Sequence, residues 1–312
     1  MPSYLKIKMF FYPKFKYLIF ILCKIINFFY LSILEYIPTN NYSVGKYYGR
    51  FGNNLQQICN GIIFSQLYGK NFSTPKHPYL KTINFKKNNS RLRLVKKYRF
   101  FEYSDKNFIN SDTPKKMNIP YSEALKKSHA IFSNIIFPKL TFYKDLDLSS
   151  DKLIIHIRSG DIFEKTKHYD QLQNPLAFYL KVIENFNEVV IVTEGSRNNP
   201  VIQELSSIKN INVTVQSGTI EEDFNILLNA KNLCLSGVGT FGIAAALLSP
   251  HLKNLYFSDI YLRTHLNPEM ISTSIMKHKY VIPDYLVPGE WSNSERDRKL
   301  MLSSQLTVKK VN

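Results

Sequence analysis

Leu153-Ile154-Ile155-His156-Ile157-Arg158-Ser159-Gly160-Asp161 is the stretch on which the fold turns. Its first five residues are apolar except for His156, the near-continuous hydrophobicity of a parallel strand covered on both faces. A polar turn carrying Arg158, Gly160 and Asp161 follows at once. In an open α/β sheet ligands lie beyond the carboxyl ends of the strands, so Arg158 stands where a phosphate would be met. Its planar guanidinium holds two phosphate oxygens together and stays charged at any working pH. Taken alone, the same turn also fits a solvated β-turn closed by an incidental salt bridge.

Downstream, strands and helices alternate. A helix is expected at 175–185, then a strand at 189–192 ending in Thr193-Glu194-Gly195-Ser196. A helix near 200–208, a strand at 213–216 and a helix at 220–230, with Asp223 in its first turn, come next. A strand at 233–235 leads into Ser236-Gly237-Val238-Gly239-Thr240-Phe241-Gly242 and a helix at 243–248, closed by Pro250. This alternation predicts a doubly wound sheet of parallel strands. Three strand ends carry polar turns (Arg158–Asp161, Thr193–Glu194 and Ser236–Thr240). Such ends share one edge of a parallel sheet, so one crevice is expected to hold all three.

Upstream, an extended segment at 42–48 runs into Gly49-Arg50-Phe51-Gly52-Asn53-Asn54. Apolar residues at Leu55, Ile58, Cys59, Ile62, Ile63 and Leu67 then keep helical spacing. A glycine turn opening a helix gathers backbone N–H groups and the helix's positive end, a site for an anion or polar ligand. The two glycines also suit a tight turn with no ligand. Residues 75–145 are rich in Lys, Asn and Pro and support only short strands and one helix at 122–132. The polar stretch from Asp145 to Lys152 is the expected domain boundary. Its Asp145-Leu146-Asp147 follows no clear strand and reads as a solvated charge pair rather than a metal site.

The chain has 312 residues, more than one core usually covers, so two domains of roughly 100–150 residues are expected. A hydrophobic content of 44% supplies those cores, and a net charge of +17 implies an anionic partner. Three widely spaced cysteines (Cys23, Cys59 and Cys234) make neither a disulfide framework nor a zinc site. The basic cluster at 86–99 lacks the aromatic interleaving of a single-strand nucleic-acid binder, and no nucleic-acid partner is expected.

Residues 17–37, YLIFILCKIINFFYLSILEYI, are about long enough to cross a bilayer, although Lys24, Asn27 and Glu35 interrupt them. An ordinary buried helix closed by Pro38 is one reading, and two membrane arrangements are also open. One is a helix lying on an anionic membrane surface, as on the cytoplasmic face of a bacterial inner membrane; the other is a single-pass signal-anchor of a eukaryotic secretory compartment. The expected organisation is an apolar anchor at 1–38, a first domain at 39–149 and a second at 150–312.

Gly237-x-Gly239-x-x-Gly242 lies between a strand and a helix, and Asp259 follows near the spacing of a ribose-contacting acid in dinucleotide folds. An NAD(P)-dependent oxidoreductase is therefore an alternative. Against it, the fingerprint normally opens its domain, and it leaves Arg158 and the 49–54 turn without a task. A non-catalytic basic protein binding nucleic acid or membrane is a further alternative.

GRFGNN at 49–54 and HIRSGD at 156–161, followed by SGVGTFG at 236–242, resemble the fucosyltransferase superfamily over roughly residues 45–250. Bacterial α-1,2-fucosyltransferases and protein O-fucosyltransferases are among its members. Gly239 stands where a serine is common in that family, and Thr193-Glu194 where Ser/Thr-Asp is frequent; residues 75–145 show no match. The resemblance implies a GT-B-like α/β fold, two Rossmann-like domains facing a cleft, with the nucleotide-sugar mainly on the second. It implies inverting transfer of a sugar, fucose from GDP-fucose, to a glycan or lipid-linked glycan hydroxyl, with no metal and no cofactor beyond that co-substrate. In that scheme Arg158 meets the charge growing on the β-phosphate. Arg50 and Gly52 flank the diphosphate, and Asn53 lies near the sugar. Ser236 and the backbone around Gly239, Thr240 and Phe241 share the phosphate charge. Thr193 and Glu194 stand near the ribose or base, and Asp223 accepts from a guanine edge. His156 is expected to be mainly structural, with direct donor contact as the alternative. Asp161 and Glu164 compete for the role of general base.

Overall fold

A computed structural model describes residues 41–44, 46–69, 71–85, 121–164 and 168–311. The expected anchor at 1–38 and the basic cluster at 86–99 lie outside the described residues. Among those described, no helix is long and apolar enough to cross a membrane.

The sequence Lys152–Ile157 forms strand β4, preceded by three short strands, β1 (Asn41–Ser43), β2 (Asn71–Ser73) and β3 (Asn84–Phe85). Then come β5 (Glu188–Thr193), β6 (Asn212–Gln216), β7 (Asn232–Cys234), β8 (Asn254–Ser258), β9 (Met276–Val281) and β10 (Lys309–Val311). The seven later strands make one sheet in the order β10-β9-β8-β7-β4-β5-β6, parallel throughout except for β10. From β4 the chain runs outward through β5 to β6, then returns to lay β7 on the other side of β4. The order reverses between β4 and β7, which is where ligands bind in open α/β sheets. The three early strands form a separate small sheet.

Side-chain alternation along the strands divides the interior into two layers. Leu153, Ile155 and Ile157 enter one apolar cluster with helices α3 (Leu176–Ile183), α4 (Pro200–Ser206) and α7 (Glu295–Met301). Ile154 faces the other cluster, with α5 (Ile220–Leu228) and α6 (Phe241–Leu248). That second cluster also takes the apolar faces of α1 (Phe51–Tyr68) and α2 (Tyr121–Ile131). An α/β architecture with a mostly parallel sheet between helices is thus as expected.

The described residues from Asn41 onward form one compact unit. The polar stretch expected as a boundary is strapped to the later half by three asparagines. Asn225 and Asn229 accept from the N–H groups of Lys144 and Leu146 at 2.9 Å each and donate back to the Lys144 carbonyl. Asn232 donates to the carbonyls of Ser150 and Lys152. Asp145 and Asp147 pair with His251 and Lys231 on the surface.

Candidate functional site

The first motif is the start of a helix. α1 begins at Phe51, four residues before the periodic apolar run, with Arg50 as its extended N-cap. Phe51 decides this, because its buried ring packs on Phe224 at 4.9 Å between centroids and Phe224 packs on Phe241 at 4.9 Å. Phe241 in turn lies 5.4 Å from the His156 ring, so an aromatic chain links GRFGNN to HIRSGD through the start of α6. Gly52 presses on the 236–240 turn, since a Cβ there would sit 2.6 Å from the Thr240 carbonyl carbon. One residue on, Asn53 accepts from the Thr240 hydroxyl at 2.6 Å.

Arg158 emerges from β4 at the switch point, its side chain only 17% exposed. Its Nη1 donates to Gln171 Oε1 and its Nη2 to Asp161 Oδ1 at 3.2 Å, while its buried Nε has no hydrogen-bond partner. Arg50, half exposed, reaches the same Asp161 at 2.8 Å and Glu194 at 2.6 Å. Two arginines from separate motifs and two carboxylates from separate strand ends therefore meet in one cluster. Burial disfavours charge on Arg158 and Arg50 adds repulsion, lowering its pKa, although a guanidinium stays protonated. Burial also opposes charge on Arg50, but Glu194 and Asp161 outweigh it and raise its pKa. At Asp161 burial works against ionisation, and the two guanidinium groups win, holding the carboxyl below its ordinary value.

Amide side chains surround this cluster. Asn198 holds both backbone groups of Gly160, whose φ of +81° admits the turn that a β-carbon would strain. Asn199 donates to the Arg158 carbonyl, and Thr193 donates to Ser159 Oγ at 3.1 Å. Residues 171–174 pair with the 235–238 turn, with Val238 donating to Leu172 and Asn174 to Ser236 through the backbone. None of Gln171, Gln173, Asn174, Asn198 and Asn199 belongs to a sequence motif; amides in a polar loop carry no periodicity to read.

His156 is buried and lies 3.2 Å from Ser236 Oγ. Burial first, then the charges of Arg158 and Arg50, push its imidazole down to about 3, so it is neutral at physiological pH. Gly242 packs on it, a Cβ there falling 2.9 Å from Nδ1. Gly239 is different. A Cβ built on it would meet Arg158 Cδ and Ser236 Oγ at 3.9 Å each, ordinary van der Waals contact, so its backbone lies against the Arg158 side chain without the close approach seen at Gly52 and Gly242.

Arg50, Gly52, Asn53, His156, Arg158, Asp161, Glu194, Ser236, Gly239, Thr240 and Phe241 are thus contiguous, with Thr193 just beneath. Asp223, in the first turn of α5, stands just beyond the end of β6, two strands away from β4. It accepts from Gly218 N at 2.9 Å and Gln216 Nε2 at 3.2 Å, and burial, the larger effect, raises its carboxyl above the ordinary value. Glu164 is exposed, its carbonyl accepting from Asn293, and lies outside the cluster. Asp259 is also exposed, its N–H bonded to the Tyr280 carbonyl. Among the described residues, no group of three or more His, Cys, Asp or Glu could hold a metal ion.

Compared with protein-family models, with curated proteins and with solved structures, the chain finds no match.

Proposed function

We propose that the protein is an inverting, metal-independent glycosyltransferase that moves a sugar from a nucleotide-sugar, fucose from GDP-fucose, onto a hydroxyl of a glycan acceptor. The observation that carries this reading is the meeting of Arg50 and Arg158 at the switch point of the sheet, 2.8 Å and 3.2 Å from one carboxylate oxygen. Breaking the bond between sugar and diphosphate leaves charge on the β-phosphate. A fixed cation already in place stabilises that charge with little reorganisation. Arg158, anchored by Gln171, suits the fixed role; the more exposed Arg50 suits a role that changes partner when the donor enters. The backbone of Gly239–Phe241 at the head of α6 adds N–H donors to the same anion. Asp223 suits a guanine edge, and the GT-B-like arrangement, with residues 39–149 facing the acceptor, belongs to this reading. So do a glycan or lipid-linked acceptor and an anionic membrane surface for residues 1–38.

The dinucleotide reading draws less support. G-x-G-x-x-G follows β7, the fourth strand of the sheet in chain order, and Gly242 is occupied in packing His156. The glycosyltransferase reading is tested by turnover of GDP-fucose in folded Arg158→Ala. A loss of about 10²–10³-fold is expected for removal of one transition-state charge stabiliser, and unchanged turnover contradicts it.

A further inference from the structure

Residues 1–101 hold 17 of the 41 Lys and Arg but only one of the 24 Asp and Glu, Glu35. This third of the chain therefore carries +16 of the net charge of +17, and residues 102–312 are close to neutral. From Tyr36 to Phe101 there is no acidic residue at all. An excess of one sign confined to one part of a chain marks a surface that meets the opposite sign. Part of that surface falls among the described residues. Lys46, Lys76 and Lys81 are exposed, and among the described residues none of the three pairs with a carboxylate. Lys46 lies 5.2 Å over the Tyr48 ring. Next to it, Tyr47 packs edge-on against His77 at 4.7 Å between ring centroids and donates to the Pro75 carbonyl at 3.3 Å, so the 46–48 and 75–81 segments adjoin. His77 and Leu80 pair across a tight turn, which sets Lys76 and Lys81 opposite one another with exposed Pro78 and half-buried Tyr79 between them. This ledge is bonded to the opening of α1. Asn54 donates to the Tyr48 carbonyl at 2.7 Å, and His77, whose Nδ1 accepts from Tyr79 N, donates to Asn54 from Nε2 at 3.2 Å.

We infer that this ledge is a membrane-contact face of the folded body, resting on an anionic lipid surface through Lys46, Lys76 and Lys81 with Tyr47, Tyr48 and Tyr79 among them. Tyrosine beside lysine suits that boundary. The rings sit at headgroup level with one end apolar and the other wet, and the ammonium groups meet lipid phosphates and carboxylates. An acidic polysaccharide would meet the same lysines. Lipid is favoured because the apolar run 17–37 ends nine residues before Lys46 in the chain, a tether of at most about 30 Å. The inference does not need the nucleotide-sugar reading, and it goes beyond an anchor at 1–38. An anchor alone leaves the folded body free to turn, whereas a second contact fixes which face meets the bilayer.

The test is acetylation of lysine amines on the full chain, read residue by residue by mass spectrometry. It is run with phosphatidylcholine vesicles, with vesicles that also contain phosphatidylserine, and with soluble polygalacturonate. The phosphatidylserine vesicles are expected to slow acetylation of Lys46, Lys76 and Lys81 by about fivefold relative to phosphatidylcholine alone, the bias that one interfacial lysine supplies. Lys181 and Lys299, exposed on α3 and α7 in the opposite layer, should react at unchanged rates. The protection should fade as added salt shortens the Debye length to about 3 Å at 1 M. Protection confined to the lysines between Lys6 and Lys24 leaves an anchor alone and overturns the face. Equal protection at Lys181 and Lys299 also overturns it, as does no protection at any lysine. Protection by polygalacturonate with none from phosphatidylserine overturns the membrane assignment and gives the ledge to an acidic glycan.

Discussion

His156 is a buried imidazole with Ser236 as its hydrogen-bond partner and two guanidinium groups nearby. Its pKa of about 3 in the fold lies below the ordinary value of 6.5. The unfolded chain therefore takes up a proton near pH 6.5, whereas the folded chain resists protonation until about pH 3. The stability this group contributes is complete above pH 6.5 and is lost as pH falls toward 3, at up to about 1.4 kcal/mol per pH unit. Urea unfolding at pH 7 and pH 5 should show His156→Gln losing about 2 kcal/mol less than the wild type over that interval. Equal losses in the two proteins contradict the assignment. Asp161 has the same sign for a different reason: its paired carboxylate stabilises above its unfolded pKa and stops doing so as acid protonates it in the fold. At this scale much was legible. Arg158 stands out in the sequence because a charge closes an apolar strand, and Arg50, Asn53 and Asp161 because each directly follows a glycine. Gln171, which fixes Arg158, did not, because nothing in a polar loop marks which amide will fold back.

The two helix starts that meet at the site, those of α1 and α6, explain why the glycines differ in kind. Gly52→Ala places a methyl 2.6 Å from the Thr240 backbone, which has no rotamer with which to yield, and should cost about 1–3 kcal/mol in urea unfolding. Gly239→Ala meets nothing within 3.9 Å and should leave stability within about 0.5 kcal/mol while weakening GDP binding. The reverse ranking in stability would place the close approach elsewhere. Strands β4 to β7 and helices α3 to α6 follow from apolar runs and their punctuation. The start of α1 does not, because Phe51-Gly52-Asn53-Asn54 is a poor helix opening by propensity and is fixed by the rings of Phe224 and Phe241. β9 and β10 carry mixed polar patterns (Met276–Val281 and Lys309–Val311), and their pairing at the sheet edge is a tertiary outcome.

Over the whole molecule, the apolar cluster on one face of the sheet joins Leu55, Ile62 and Phe132 to Leu233, Ala245 and Leu255. Residues on either side of the expected boundary thus share a core, and the asparagine strap at 144–152 ties them further. Unfolding of residues 41–312 should be a single transition, in which the fluorescence of Trp291, buried in the opposite layer, coincides with far-UV circular dichroism. Two separated transitions would instead mark independent halves. The doubly wound sheet and its switch point build the candidate site on that shared core, by setting two arginines and a helix start around one spot at the sheet edge. The measurement that bears most directly on this claim is thermal stabilisation of the full chain by GDP, GDP-fucose, UDP, CDP and NAD, with Arg158→Ala alongside. GDP and GDP-fucose should stabilise the wild type, by about 2.7 kcal/mol at a hundredfold excess over Kd, and should fail to stabilise the variant. Stabilisation by NAD alone, or by none of the five, would contradict it.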